Sequence, residues 1–208
     1  MKTSRASLTA ALAMASAWFG VAPARAEGVD PPRLFLQVAI GPAFNFERWS
    51  PDGGSPGAST TGWAPALNLA AGWRARPRLV VAADLQVAPV VNRTESYRGG
   101  SYELADTLHV VDTLAVVADV TSWRHPRFHA GGGVGLMAAT EVDTHMGSTA
   151  TNLGVALLAQ AGYSRPLARG WSVGAMARLT FYRFGSDQPA PPSTSVGLLP
   201  ALLVTFTR

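Results

Sequence analysis

The sequence predicts an all-β fold: an eight-stranded antiparallel up-and-down transmembrane β-barrel, preceded by a cleavable N-terminal signal peptide. Three observations predict it. Apolar and polar residues alternate with period two in eight successive segments, which puts successive side chains on opposite faces of a strand. The connections between those segments alternate between long and short. One face of each segment is rich in Leu, Val, Ile and Phe and almost free of charge, while the other carries the polar side chains.

The chain divides into a leader, residues 1–26, and a single barrel domain, residues 27–208. Lys2 and Arg5 precede an apolar stretch from Leu8 to Val21, and Ala24 and Ala26 supply the small residues of an A-x-A cleavage site. That stretch falls short of the roughly 20 residues a spanning helix needs, so it reads as an exported leader and not an anchor. No later run of 18 apolar residues follows, which excludes a helical membrane protein. Of 17 basic residues, Lys2, Arg5 and Arg25 belong to the leader; 14 arginines then face 13 acids, a net charge of +1. Without a clustered basic patch, nucleic acid is not expected as a partner. The chain has no cysteine, which removes disulfides, thiol catalysis and Cys-based zinc sites. Asn92-Arg93-Thr94 matches a glycosylation pattern and is read as accidental.

In the first strand Leu34, Leu36, Val38, Ile40, Phe44 and Phe46 share one face, opposite Gln37, Ala39, Asn45 and Glu47. The second sets Trp63, Leu67, Leu69 and Trp73 against Ala64, Ala66 and Asn68; the third sets Leu79, Val81, Leu85 and Val87 against Val80, Asp84 and Gln86. Leu108, Val110, Leu114, Val116 and Val120 form the apolar face of the fourth. The fifth has Phe128, Val134 and Leu136 opposite His129, Gly131, Gly133 and Gly135. The sixth (Leu153, Val155, Leu157, Tyr163), seventh (Trp171, Val173, Leu179, Phe181) and eighth (Val196, Leu198, Leu202, Val204, Phe206) repeat the pattern. Long, Gly/Ser-rich connections are expected near 48–62, 91–102, 141–151 and 185–195, and short ones near 75–78, 123–126 and 166–170. All long loops then share one end, which in such barrels is extracellular, with both termini at the periplasmic end.

A soluble barrel hides its apolar face inside. Here the opposite face, with Gln37, Asn68, Asp84, Gln86, His109, Asp119, Gln160 and Arg178 among many Gly and Ala, is too polar and too small for a dry core. Lipid outside and a polar lumen follow, with a soluble ligand-binding barrel as the chief alternative. Aromatic girdles agree: Trp73, Trp123, Phe128, Tyr163, Trp171 and Phe206 fall at the periplasmic end, and Phe44, Phe46, Trp63 and Phe181 at the outer end. Asp112, an acid on the lipid-facing parity, is placed at the outer interface, where it costs little. A basic periplasmic rim of Arg74, Arg76, Arg78, Arg124, Arg127, Arg165 and Arg169 is expected to snorkel to anionic headgroups. Asp84 and Arg178, on strands that oppose each other across the lumen, form a candidate polar pair; separate hydration of the two is the alternative.

FHAGGGVGL resembles the aromatic-x-Gly-rich upstroke strand, and SVGLLPALLVTFTR the C-terminal strand, of the small eight-stranded outer-membrane barrels of the OmpA/OmpX and OmpW kind, within the porin-like superfamily. The resemblance spans the mature chain. It implies an integral protein of the bacterial outer membrane, surrounded by outer-membrane lipids and inserted by the barrel-assembly machinery, which reads the last strand.

Chemistry is sparse. No nucleophile elbow, P-loop or H-E-x-x-H occurs in the mature chain, so no catalytic, cofactor or metal site is expected. His125 and His129 flank a strand start about 13 Å apart along the chain, too far to share one metal, and read as turn and lumen residues. Glu141, Asp143 and His145 alternate at a loop base and read as a solvated loop instead of a cation site. His145 and Ser148, backed by Glu141, are the only candidates for a lipid-modifying enzyme, and their spacing fixes no hydrogen bond. The expected role is therefore structural or surface-interacting, carried by the outer loops, with a narrow pore and a lipid A-modifying enzyme as the alternatives.

Overall fold

The computed structural model describes residues 33–51, 57–97, 99–104, 107–143, 148–167, 170–186 and 193–208; the leader and its cleavage site lie outside them. The chain forms β1 (Arg33–Pro51), β2 (Ala58–Arg76), β3 (Leu79–Tyr97), β4 (Gly100–Leu104), β5 (Thr107–Thr121), β6 (Phe128–Asp143), β7 (Ser148–Pro166), β8 (Ser172–Ser186) and β9 (Ser193–Thr207). Each barrel strand pairs antiparallel with its neighbour, and β1 pairs with β9, so the sheet closes. Closure leaves no lipid-exposed edge with unpaired backbone groups. Eight strands make the wall. The short β4 pairs only with the far end of β3 and prolongs the hairpin beyond the barrel.

The register sets the geometry. Following inward-facing partners around the wall leads from Gln37 through Ala70, Asp84, Ala115, Gly135, Ala156, Tyr182 and Gly197 to Glu47, ten residues beyond the start. A stagger of ten residues, about 33 Å, over eight strand spacings, about 38 Å, tilts the strands by roughly 40°. At that tilt the 19 residues of β1 rise about 48 Å along the barrel axis, against an apolar belt of about 25 Å.

That surplus corrects the expected loops. Most of 48–62, 91–102 and 141–151, and both ends of 185–195, are strand: β1 continues to Pro51 and β2 begins at Ala58, β3 and β4 meet at Tyr97 and Gly100, β6 reaches Asp143 before Ser148 opens β7, and β8 runs to Ser186 with β9 from Ser193. Gly- and Ser-rich composition reads as loop by propensity. A ladder already started by apolar residues below supplies backbone partners that override it.

The two faces separate by burial. Leu34 and Leu153 are 70% and 73% exposed, and outward-facing leucines, valines and aromatics ring the wall between them. Ala39, Ala64, Met137, Met176, Leu199 and Leu203 are buried inside with Asn45, Asn68, Gln86 and Thr180. A soluble ligand-holding barrel is thereby ruled out, because an apolar surface that encircles the whole wall is stable only in lipid. At the opposite end from the hairpins, Arg208 and Leu36 exchange two backbone hydrogen bonds (2.8 and 3.1 Å), which ties the C-terminus to β1.

Candidate functional site

The lumen holds three tiers of polar contacts. Nearest the termini, His129 Nδ1 lies 3.0 Å from Asp119 Oδ2, which also accepts a hydrogen bond from Gln160 Nε2 at 2.8 Å. Gly162, the register partner of His129, makes room for its ring: any side chain there would overlap the imidazole.

At mid-height Asp84 on β3 and Arg178 on β8 meet across the barrel. Arg178 donates through Nη1 to Oδ2 (3.0 Å) and through Nη2 to Oδ1 (2.5 Å), a two-pronged pair with both side chains buried. Asn68 Nδ2 adds a third bond to Asp84 at 3.0 Å, and Thr180 Oγ1 donates to Gln86 Oε1 at 3.2 Å one step higher. Beside this tier, Phe35, Gln37, Asp84, Asp119 and Gln160 line a cavity of about 10 Å³, near the minimum that admits one water.

The outermost tier contains residues that the alternation alone does not reveal as a group. Tyr182 donates to Asn45 Oδ1 at 2.6 Å and lies 3.4 Å from Glu47, and His109 Nε2 lies 3.6 Å from Glu47 Oε2. Tyr182 stands directly over its register partner Gly197, where a methyl group would collide with the ring. Arg93 closes the tier with a 3.0 Å bond to Glu141. Its parity is the surprise. Even-numbered residues of β3 from Val80 to Val90 face inward, but Asn92 takes a positive φ of 52° and the β2–β3 register shifts between Thr61 and Trp63. This bulge puts an extra residue in β3 and turns Arg93 inward. Asn is the non-glycine residue most at ease there, and that preference was the available signal.

Glu141 sits two residues before the end of β6, at the base of the 144–147 connection, where Arg93 is its partner. Ser148 opens β7, and His145 lies outside the described residues. Among the described residues no group of three His, Cys, Asp or Glu is placed to hold a metal. His125 is in the β5–β6 turn, where its carbonyl accepts from Phe128 N at 2.8 Å. Asp112 is half-buried on the outer wall, eight residues and about 20 Å of axial rise above Val120.

At the terminal end the arginines lie among aromatic rings. The Arg78 guanidinium sits 3.9 Å from the centre of the Trp123 ring, Arg208 lies 5.6 Å from that of Trp171, and Arg127 Nη1 donates to the Tyr163 hydroxyl at 3.2 Å. Arg74 bonds the Pro77 carbonyl at 3.1 Å, Arg76, Arg124 and Arg165 are exposed, and Arg169 lies outside the described residues. Trp73 and Phe206 face outward at the same end, Trp63 and Phe181 at the other.

The fold has counterparts among solved structures. The outer membrane protein OprG from Pseudomonas aeruginosa superposes with a TM-score of 0.50 at 13% identity, over 85% of this chain and 97% of that one. The chain has the fold of the small outer-membrane β-barrels. Neisserial surface protein A matches at TM-score 0.48 and 14% identity (84% of this chain, 99% of that one), and the outer membrane protein AlkL, solved in lipid bilayers, at 0.46 and 14% (90% and 95%). No protein-family model and no curated protein matches the sequence.

Proposed function

We propose that this chain is an integral outer-membrane barrel, exported by a signal peptide cleaved after Ala26 and inserted by the barrel-assembly machinery, whose role is structural and surface-interacting. The observation that carries the reading is the packed lumen: the Asp84–Arg178 pair spans it at mid-height between two further polar tiers, beside a cavity near the minimum that admits one water. A barrel filled this way offers its outer hairpins, not a passage, to solutes. The hairpins are built for display. Strands overrun the belt at the end remote from the termini, and on the β3–β4 hairpin Tyr97 and Tyr102 pack edge to face at 5.8 Å. The Arg-aromatic rim at the other end suits the inner-leaflet interface, where guanidinium groups reach anionic headgroups while rings lie at the boundary.

Two experiments test this. Protease added to intact cells is expected to cut within 48–62 or 185–195 and to spare Arg76 and Arg124; cleavage at those two arginines from outside would invert the orientation. Reconstituted in a planar bilayer, the protein is expected to show no steady conductance, and open-channel currents that lumen substitutions change would favour the narrow-pore reading instead.

A further inference from the structure

On the outer wall, five strands bring together two rows of side chains in register. The lower row runs Thr61, Phe46, Leu198, Phe181 and Leu157 across β2, β1, β9, β8 and β7; the upper row runs Ser59, Arg48, Val196, Arg183 and Val155 across the same strands. Arg48 and Arg183 flank Val196 and are both exposed, with backbones two strand spacings, about 10 Å, apart. Among the described residues no carboxylate pairs with either. Glu47, next to Arg48 in sequence, is directed toward Tyr182 and His109. On the Arg48 side of the patch lies a groove of about 370 Å³, lined by Phe46, Glu47, Arg48, Thr61, Phe181 and Leu198; Arg183 stands outside its lining.

We infer that this patch is a binding site for a phosphorylated glycolipid of the outer leaflet, its phosphate held between Arg48 and Arg183 and its acyl chains laid along the row below. Charge and depth both point there. Arg48 and Arg183 each stand two residues beyond an apolar side chain of their own strand, Phe46 and Phe181, which is where a lipid of that leaflet presents anionic headgroup over hydrocarbon; the strand tilt offsets their backbones by about 6 Å in height, which extended arginine side chains can bridge to converge on one phosphate from either side of Val196. Width selects the occupant. The apolar part of the row, from Phe46 to Leu157, covers three strand spacings, about 14 Å, more than the two chains of a diacyl phospholipid occupy side by side, whereas a glycolipid carrying several chains fills it. Ser59 and Thr61 extend both rows with hydroxyls suited to a sugar. The inference rests on the proposed orientation, with these strand ends toward the cell exterior.

The test uses the full mature protein purified in detergent micelles, with binding read by native mass spectrometry. The probes are diphosphoryl lipid A, its dephosphorylated form, phosphatidylglycerol and inorganic phosphate. The variants are Arg48→Gln, Arg183→Gln, both together, and Glu103→Gln on the β3–β4 hairpin as control. Each single change is expected to weaken diphosphoryl lipid A about fivefold and the pair about 25-fold, with Glu103→Gln unchanged. The dephosphorylated form should bind the wild type no better than it binds the double variant. Wild-type affinity in a double variant that keeps its β-sheet circular dichroism would overturn the site. Equal binding and equal loss with phosphatidylglycerol would overturn the choice of a glycolipid, and full competition by inorganic phosphate would overturn any part for the acyl row. The protease map on cells is independent of these outcomes, so an inverted barrel and a missing lipid site are told apart.

Discussion

Removing one member of the mid-lumen ion pair is expected to be among the costliest single changes in the barrel. In Arg178→Leu, Asp84 loses both charge-assisted bonds and keeps only that from Asn68, while remaining buried. Stranding a buried carboxylate in this way costs about 3–5 kcal/mol, whereas replacing both charges with leucine removes the desolvation penalty together with the attraction. The double variant Asp84→Leu/Arg178→Leu should therefore lie within about 1–2 kcal/mol of wild type, giving a coupling of at least about 3 kcal/mol. Arg178→Lys keeps the charge but not the two-pronged fork, and is expected to fall between, near 1–2 kcal/mol. Urea unfolding from liposomes, followed by tryptophan fluorescence, measures wild type, Arg178→Leu, Asp84→Leu, the double variant and Arg178→Lys. Single effects that add to the double within about 0.5 kcal/mol would refute the pairing, because independent hydration of each charge predicts additivity.

Other expectations follow from the same contacts. Asn92→Gly should be tolerated, while Asn92→Val should destabilise by about 1–2 kcal/mol, since a β-branched residue resists positive φ; the same unfolding assay reads it. Gly197→Ala should lower the temperature at which the folded band is lost in heat-modifiable electrophoresis, and Tyr182→Ala should rescue it by removing the ring that the methyl meets. On the β3–β4 hairpin, Tyr102 donates to Glu95 at 2.8 Å, which raises the phenol above its ordinary pKa. The hydrogen bond needs the neutral phenol, so the contact persists below about pH 10 and is lost as pH rises through the raised value. Absorbance titration of Glu95→Gln against wild type, with Tyr102→Phe to assign the signal, should show the tyrosine titrating earlier without the carboxylate. Finally, wild type should refold faster into liposomes containing anionic lipid, and the change of Arg74, Arg76 and Arg78 to Gln should reduce that advantage; equal lipid dependence in both proteins would sink the rim's headgroup role.

Alternation was enough to assign every barrel strand and both of its faces, because a closed wall between lipid and lumen demands opposite polarity at successive residues. Asp84 and Arg178 were legible as facing residues for the same reason: eight strands place the third and seventh across a narrow interior. The bulge at Asn92 was not. Parity reading assumes an unbroken ladder, and a single extra residue reverses it, so Arg93 and its bond to Glu141 are invisible to a period-two pattern. Strand ends were misjudged for a related reason, since composition scores local preference while the ladder is extended by partners distant in the chain.

What the sequence by itself determined is therefore everything that depends on neighbours along the chain: the strand number, the lipid-facing side and the order of short and long connections. Only the tertiary structure decided what depends on shear. A stagger of ten residues sets which row of β1 meets which row of β9, and so joins Arg48 to Arg183 outside and Asn45 to Tyr182 inside, pairs separated by more than 130 residues that no local period relates.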